Sequence, residues 1–346
     1  MWEYQNEKDN KKMYVIVFVD DVLAIGDDGY INDFIAKIGQ KYKIRDLGEA
    51  ETFLGMEIVR NRNKRTLKIK QTKYIENMAS RFGLTDAKPV YTPLEPKINL
   101  QKSKNKLDLH PDNELYRSIV GSAMYACQLC RPDILYAVCR LSRYLNEPTK
   151  IHMTQAKRVL IYLYTTKNRG ITYGSKIHGI IGHNLMFDTI FGYADADFAS
   201  DLDSRKSTTG WIFMYNGGAI SWRSSQQNIQ ALSTSEAEYM SLSDAAKEAR
   251  SLLKLNLTLK TNTPNNIIIY EDNRGCEKWT RTLSEPNRTK HIDISYHHIR
   301  EMVKLGKITI QPVETKLQLA DAMTKALPRP QHEFLMEKYC GSTADF

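Results

Sequence analysis

Leu232-Ser233-Thr234-Ser235-Glu236-Ala237-Glu238-Tyr239 opens the longest helical pattern in the C-terminal third of this chain. Ser233 followed three residues later by Glu236 is a capping-box pattern: the serine accepts a bond from the first turn and the glutamate reaches back. Helical steps from Glu238 reach Leu242, Ala245, Ala249, Leu252 and Leu253, a face that must pack on a sheet. Steps from Glu236 reach Ser243, Lys247 and Arg250, which reads as a solvated face. An ionised carboxylate on a buried stripe is costly unless a cation compensates it. Two readings of Glu238 follow: a metal ligand, or a glutamate at the edge of a core paired with Arg or Lys.

Outward from this helix, short strands and helices alternate. The pattern predicts strands over 191–198, 211–215, 219–222, 267–270 and 307–313, with helices near 235–255, 293–305 and 319–326, a mixed sheet covered by helices. Phe191-Gly192-Tyr193-Ala194-Asp195-Ala196-Asp197-Phe198 alternates with period two, which puts Asp195 and Asp197 on one side and does not choose between them. Asp272 ends the apolar run Ile267-Ile268-Ile269-Tyr270, at the C-terminal strand edge where α/β folds place ligands. Asp321 falls in the first turn of what reads as the last helix, where the dipole alone favours an acid. Together these acids suit two hard cations. Oxygen ligands without a Cys or His set favour magnesium or manganese over zinc, and two such ions can activate a water and stabilise the leaving oxygen of a phosphodiester.

The whole chain has 346 residues, 42% hydrophobic and 26% charged, so it can bury real cores over two or three domains. Lys and Arg outnumber Asp and Glu by 49 to 40, a net +9, which favours a polyanionic partner; with the carboxylates this points to a nuclease. No stretch is apolar for the length of a membrane span, and Met1-Trp2-Glu3-Tyr4 begins no signal peptide. Five scattered cysteines agree with a reducing compartment, so an intracellular protein is expected. Cys127 and Cys130 form a lone CxxC in a helical run with Ile119, Ala123 and Ala126, and read as core cysteines rather than zinc ligands.

Upstream, Tyr14-Val15-Ile16-Val17-Phe18-Val19 and Val22-Leu23-Ala24-Ile25 read as a hairpin with Asp20 and Asp21 at its turn. A helix through Phe34, Ile35 and Ile38 and an extended segment over 53–58 follow. From Arg60 to Lys73 the chain carries seven basic residues and no acid, with Leu67 and Ile69 alternating with Lys68 and Lys70. That is a strand with one packed and one basic face, either a solvated hairpin or a track for a phosphate backbone. Residues 89–111 read as a linker, and helices follow around Pro132 to Leu145 and Ala156 to Leu163.

These segments resemble the Pol polyprotein of copia-type LTR retrotransposons, in the C-terminal half of its reverse transcriptase followed by ribonuclease H. The likeness runs from about Tyr14 to Leu327. It is carried by Phe18-Val19-Asp20-Asp21, Arg45-Asp46-Leu47-Gly48 to Phe53-Leu54-Gly55, Arg131-Pro132-Asp133-Ile134, Arg205-Lys206-Ser207-Thr208-Thr209-Gly210, Ser233–Tyr239, Glu271-Asp272-Asn273, Lys290-His291-Ile292-Asp293-Ile294, Leu319-Ala320-Asp321 and Thr324-Lys325. The family often differs at Phe198-Ala199-Ser200, Arg274 and Ala322-Met323; none of these departures removes an acid.

The resemblance implies an α+β and α/β multidomain chain. Residues 1–94 would be a partial reverse transcriptase palm with the start of a thumb, and 95–188 a linker and helical thumb or connection. Residues 189–330 would be a ribonuclease H-like domain with a mixed five-stranded sheet and helices, and 331–346 a C-terminal tail. It implies Asp195, Glu238, Asp272 and Asp321 as the catalytic, metal-binding acids, holding two Mg2+ (or Mn2+) ions and cutting the RNA strand of an RNA–DNA hybrid. Partners would be hybrid, DNA or RNA, and other parts of a Pol polyprotein, with no membrane. Asp20 and Asp21 resemble a polymerase metal pair without its upstream aspartate, a remnant from which polymerase activity is not expected. Phe53 and Gly55 would lie near a primer strand, and Arg60, Arg62, Lys64, Arg65, Lys68 and Lys70 along a phosphate backbone. The loop 313–318 lacks the histidine some ribonucleases H carry there, and His291, His297 and His298 read as structural. The other reading is a catalytically inactive transposon relic that binds nucleic acid at most.

Overall fold

The computed structural model describes residues 2–5, 12–174, 188–261, 263–276 and 290–340. The chain divides into two units, Met1–Val59 and Arg60–Phe346. In the first, β1 (Trp2–Gln5), β2 (Lys12–Phe18) and β3 (Asp21–Gly26) form an antiparallel sheet in that order. The β2–β3 connection is a two-residue turn with Phe18 opposite Asp21 and Val19 at φ 52°, so the predicted hairpin is present with its acids at the tip. The helix α1 (Asp28–Gly39) is capped by Asp27, whose carboxylate accepts from the Gly29 N–H. Further on, β4 (Thr52–Phe53) turns into β5 (Met56–Asn61) through Gly55 at φ 75°.

The second unit begins with β6 (Thr66–Lys70), which pairs antiparallel with β7 (Gly170–Tyr173), and between them come four helices, α2 (Thr72–Arg81), α3 (Asn113–Leu129), α4 (Leu135–Ser142) and α5 (Lys150–Thr165). A single 3-10 turn at Pro132–Ile134 leads into α4. Thr149 caps α5 in a box whose second arm is the His152 side chain rather than a glutamate. Of the apolar stripe Ile134, Val138, Leu141 and Leu145, the first three are buried and Leu145, beyond the end of α4, is half-buried; Ala156, Val159, Leu160 and Leu163 on α5 are buried. Cys127 and Cys130 lie in the same core, Cys130 Sγ being 3.3 Å from Gln71 Oε1.

The expected mixed five-stranded sheet is present. It contains β8 (Phe191–Asp197), β9 (Thr208–Tyr215), β10 (Gly218–Gln226), β11 (Ile267–Glu271) and β12 (Ile308–Pro312), in the order β10-β9-β8-β11-β12. The first three are antiparallel, and β11 runs parallel to both β8 and β12. Strand alternation sends Phe191, Tyr193, Ile212, Met214 and Tyr270 to one face and Ala194, Phe213, Ile267, Ile269 and Ile310 to the other. The second face is covered by α6 (Thr234–Leu259), which buries Leu242, Ala245 and Ala249, and by α7 (Lys290–Lys304). On the first face, one apolar cluster continues from the sheet into α3, α4 and α5. Trp222 Nε1 fastens that junction by donating to the Cys127 carbonyl at 2.8 Å.

Two short C-terminal elements complete this face, α8 (Asp321–Thr324) and α9 (Arg329–Cys340). Asp321 therefore does not start the last helix. The stretch expected as a tail from residue 331 is helical through Cys340, with His332, Leu335, Met336 and Tyr339 buried. Its anchor is polar as well as apolar. Arg131 and Asp133, both fully buried, pair through Nε–Oδ1 at 2.9 Å and Nη2–Oδ2 at 2.7 Å. The Tyr162 hydroxyl donates to Asp133 Oδ2 at 2.7 Å, which leaves its oxygen to accept from His332 Nε2 at 2.9 Å. No helix among the described residues is long and apolar enough to cross a membrane.

Candidate metal centre

Parallel pairing sets the first two acids side by side. Tyr270 lies opposite Tyr193, and two residues farther along each strand are Asp272 and Asp195. Asp195 is 2% exposed, whereas Asp197 at the strand end is half-buried. Helix α6 brings the third acid: Glu238, 5% exposed, accepts from the Ala196 N–H through Oε2 at 2.7 Å. The Ser241 hydroxyl, one turn on, holds the helix to the sheet by donating to the Asp195 carbonyl at 2.7 Å. Asp195, Glu238 and Asp272 each offer a carboxylate oxygen, and these atoms lie within 4.8 Å of one another.

Asp321 approaches from α8. Gln318, fully buried, fixes the loop before it by donating to the Ala194 carbonyl at 2.8 Å. Helix α8 then sits directly on Gly210, where a Cβ would stand 2.5 Å from Thr324 Cγ2 and 2.7 Å from Met323 Cβ. The Thr324 hydroxyl donates to Asp195 Oδ2. Lys325 Nζ lies 2.9 Å from Asp321 Oδ1 and 3.6 Å from Asp195 Oδ2, joining the fourth acid to the group.

Burial and mutual repulsion disfavour ionisation of Glu238, Asp321 and Asp195. Burial first, then Glu271, Asp195 and Asp272, push Glu238 up to about 11. Burial and Asp195 raise Asp321 to about 7 against the pull of Lys325. Asp195 is raised by burial, with Lys325 and Thr324 opposing. Concentrated carboxylates of this kind, all oxygen donors and short of positive charge, fit a hard divalent cation.

Two neighbours escaped the sequence pattern. Glu271, 1% exposed and held well above the usual carboxylate range by burial, shares the strand parity of Ile267 and Ile269, so it points toward α6 and Glu238. A charged residue continuing an inward-facing alternation was the available signal. Lys325 stands four residues after Asp321, the spacing of a helical ion pair. One expectation is corrected: Glu236 is not on a solvated face but 6% exposed, and Ser243 is buried too. Periodicity does not see the preceding loop, which folds over the helix start so that Glu236 Oε2 accepts from the Leu232 N–H at 2.8 Å. The Ser233 half of the cap is present, Oγ accepting from the Glu236 N–H at 3.2 Å.

The remaining predicted residues sit elsewhere. Asp20 and Asp21 are exposed at their hairpin, while Phe53 ends β4 and Gly55 lies in the β4–β5 turn. Arg60, Arg62, Lys64 and Arg65 are exposed around the turn into β6, while Lys68 and Lys70 on β6 are half-buried. His297 is exposed, and His298 is half-buried and lowered by burial and by Arg250 and Lys247; the side chain of His291 lies outside the described residues.

The profile of the family described as reverse transcriptase (RNA-dependent DNA polymerase) matches residues 3–96. The retrovirus-related Pol polyprotein from transposon TNT 1-94 of Nicotiana tabacum is 37% identical, over 96% of this chain and 25% of that protein. The corresponding polyprotein from transposon RE1 of Arabidopsis thaliana is 36% identical, over 92% of this chain and 21% of that protein. The chain thus spans about a quarter or less of the length of these relatives. Among solved structures, RNase H1 from the halophilic archaeon Halobacterium salinarum aligns with 18% identity over 39% of this chain and 94% of that one, at a TM-score of 0.30.

Proposed function

Because the chain belongs to the Pol polyproteins of copia-type LTR retrotransposons, we propose that its C-terminal part, residues 189–330, is a divalent-metal-dependent ribonuclease H that cuts the RNA strand of RNA–DNA hybrids. On this reading residues 1–94 derive from the reverse transcriptase palm and 95–188 from the thumb and connection. The observation that carries it is the meeting of Asp195, Glu238 and Asp272, three segments distant in sequence, with ligand atoms within 4.8 Å.

Asp195, Glu238, Asp272 and Asp321 would hold Mg2+ or Mn2+, two ions in all. Such ions, when bound, lower the pKa of a water and stabilise charge on the phosphodiester oxygens. The chain's own part is to prearrange the acids: β8 and β11 fix two, the Ala196 N–H orients Glu238, and Gln318 and Gly210 seat the helix that carries Asp321. Substrate recognition would rest on phosphate and 2′-hydroxyl contacts. The basic residues from Arg60 to Lys70 and the net +9 suit a polyanion, whose binding weakens steeply with salt.

Incubation of the protein with end-labelled RNA–DNA hybrid and magnesium, beside Asp195→Asn and Glu238→Gln, tests this. Cleavage of the RNA strand by the wild type and its loss in both variants is expected. Equal product from all three would reveal a contaminating nuclease. No product from any, with each protein folded, would leave the inactive relic.

A further inference from the structure

The acid cluster contains a cation of its own. Lys325 Nζ is 2.9 Å from Asp321 Oδ1 and 3.6 Å from Asp195 Oδ2, while Glu238 and Asp272 have no ion pair among the described residues. The contact with Asp321 is a close ion pair. One ammonium leaves most lone pairs of the two carboxylates it faces open, so a divalent cation can compete with it for them. The lysine stem gives it somewhere to go, since its side chain is 36% exposed. Burial works against its charge, but Asp195, Asp321 and Asp197 outweigh that and keep it above the ordinary lysine range.

We propose that Lys325 is a resident counter-ion on the Asp195–Asp321 side of the cluster, which makes the two cation positions unequal. Among the described residues, the position bounded by Asp195, Glu238 and Asp272 meets a protein cation only at the shared Asp195, 3.6 Å from Lys325, and fills first. The position between Asp195 and Asp321 is taken by an ammonium and fills only when Lys325 swings out. Thr324 supports the arrangement from the adjacent position, because its hydroxyl bonds the same Asp195 Oδ2 that Lys325 faces. Lys325 is thus a positioning residue acting through Asp195 and Asp321. The inference rests on the metal-binding reading above.

The test is Mn2+ titration by calorimetry and electron paramagnetic resonance, with melting curves in EDTA, on wild type, Lys325→Met, Lys325→Arg and the double variant Lys325→Met/Asp321→Asn. Removing a unit charge less than 4 Å from a ligand should strengthen the weaker Mn2+ position by about tenfold or more in Lys325→Met. The same variant should melt lower in EDTA and recover with Mn2+. Lys325→Arg should behave as wild type, and the double variant should regain metal-free stability and bind a single ion. If Lys325→Met fails to fold in EDTA but folds with Mn2+, the counter-ion role stands. Equal affinities and stoichiometry in wild type and Lys325→Met would overturn it. Absence of Mn2+ binding in every protein would instead sink the metal reading beneath it.

Discussion

Glu238 Oε2 accepts a 2.7 Å hydrogen bond from the backbone N–H of Ala196, the residue after Asp195. One contact therefore ties the helix that covers the sheet to the strand that carries Asp195, and fixes the separation of two carboxylates. Glu238→Gln keeps the acceptor oxygen and removes the ionisable group. We expect it to fold and to melt higher than wild type in EDTA near neutrality, because burial and the neighbouring Glu271, Asp195 and Asp272 no longer oblige the folded state to take up a proton. Its stabilisation by Mg2+ should fall away. Thermal melts with and without Mg2+ decide this, and an unchanged metal-induced shift would contradict it.

The pH dependence of metal-free stability carries a definite sign. Glu238 is raised to about 11 in the folded protein, so near neutrality the native state holds a proton that the unfolded state has lost. A raised carboxyl contributes stability that is complete below its unfolded value and declines as pH rises toward the folded one. Asp321, raised to about 7, adds to the decline below neutrality. His152 and His332, both lowered to about 4, oppose it below about 6.5, where their unfolded forms gain protons. Between about pH 7 and 8.5 the acid cluster should dominate, with stability in EDTA falling by on the order of 1 kcal/mol per pH unit. Urea unfolding measures this; a flat profile, or one as steep in Glu238→Gln, counts against the assignment.

The apolar cluster shared by the sheet and α3–α5 predicts that the sheet does not stand alone. A fragment beginning at residue 188 would lose the cover of α3–α5 over the face that carries Phe191, Tyr193, Ile212, Met214 and Tyr270, each buried here. Large apolar side chains lose roughly 1.5–3 kcal/mol apiece on full exposure, so losing even part of this burial is large against the roughly 5–15 kcal/mol stability of an ordinary domain. Such a fragment should aggregate or lack a cooperative transition in calorimetry, while a fragment from Arg60 should melt cooperatively.

The buried pair Arg131–Asp133 offers a contrast between losing one charge and losing both. Asp133→Asn strands a fully buried guanidinium and should cost about 3–5 kcal/mol in urea unfolding. Arg131→Met with Asp133→Leu removes both charges and should cost less than the single change. Tyr162, which donates to Asp133, and His332, which bonds Tyr162, would then lose order, so α9 should exchange amide hydrogens faster.

What was legible in the sequence follows from which forces are local. The period-two runs of β8 and β11 and the 3.6 period of α6 come from side chains meeting one surface, so the sheet and Glu238 could be read. Asp195 and Asp197 share a strand side, and only the tertiary cover of α8 over the inner position separates them. Glu236 was misplaced because a loop outside the helix buries it. The helix from Arg329 to Cys340 was invisible as a packing element because its anchors, Arg131, Asp133 and Tyr162, are about 170 to 200 residues away in sequence and partly polar. Lys325 has an i,i+4 spacing that is common on any surface, and only the burial of Asp321 gives it meaning.

Substitution of Gly210 tests whether the short helix α8 is positioned by backbone contact alone. Gly210 pairs with Asp195 across β8–β9, and an added Cβ would stand 2.5 Å from Thr324 Cγ2 and 2.7 Å from Met323 Cβ. Neither neighbour is the free end of a long side chain, so Gly210→Ala must push α8 outward and draw Thr324, Lys325 and Asp321 away from Asp195. Overpacking of this kind costs about 1–3 kcal/mol, leaving the protein folded. Cleavage of hybrid should fall by about 100-fold or more, as misplacement of about 1 Å commonly does. Mn2+ binding at the Asp195, Glu238 and Asp272 position should be nearly unchanged. Full activity in a folded Gly210→Ala would show that Asp321 reaches the site without the support of this strand.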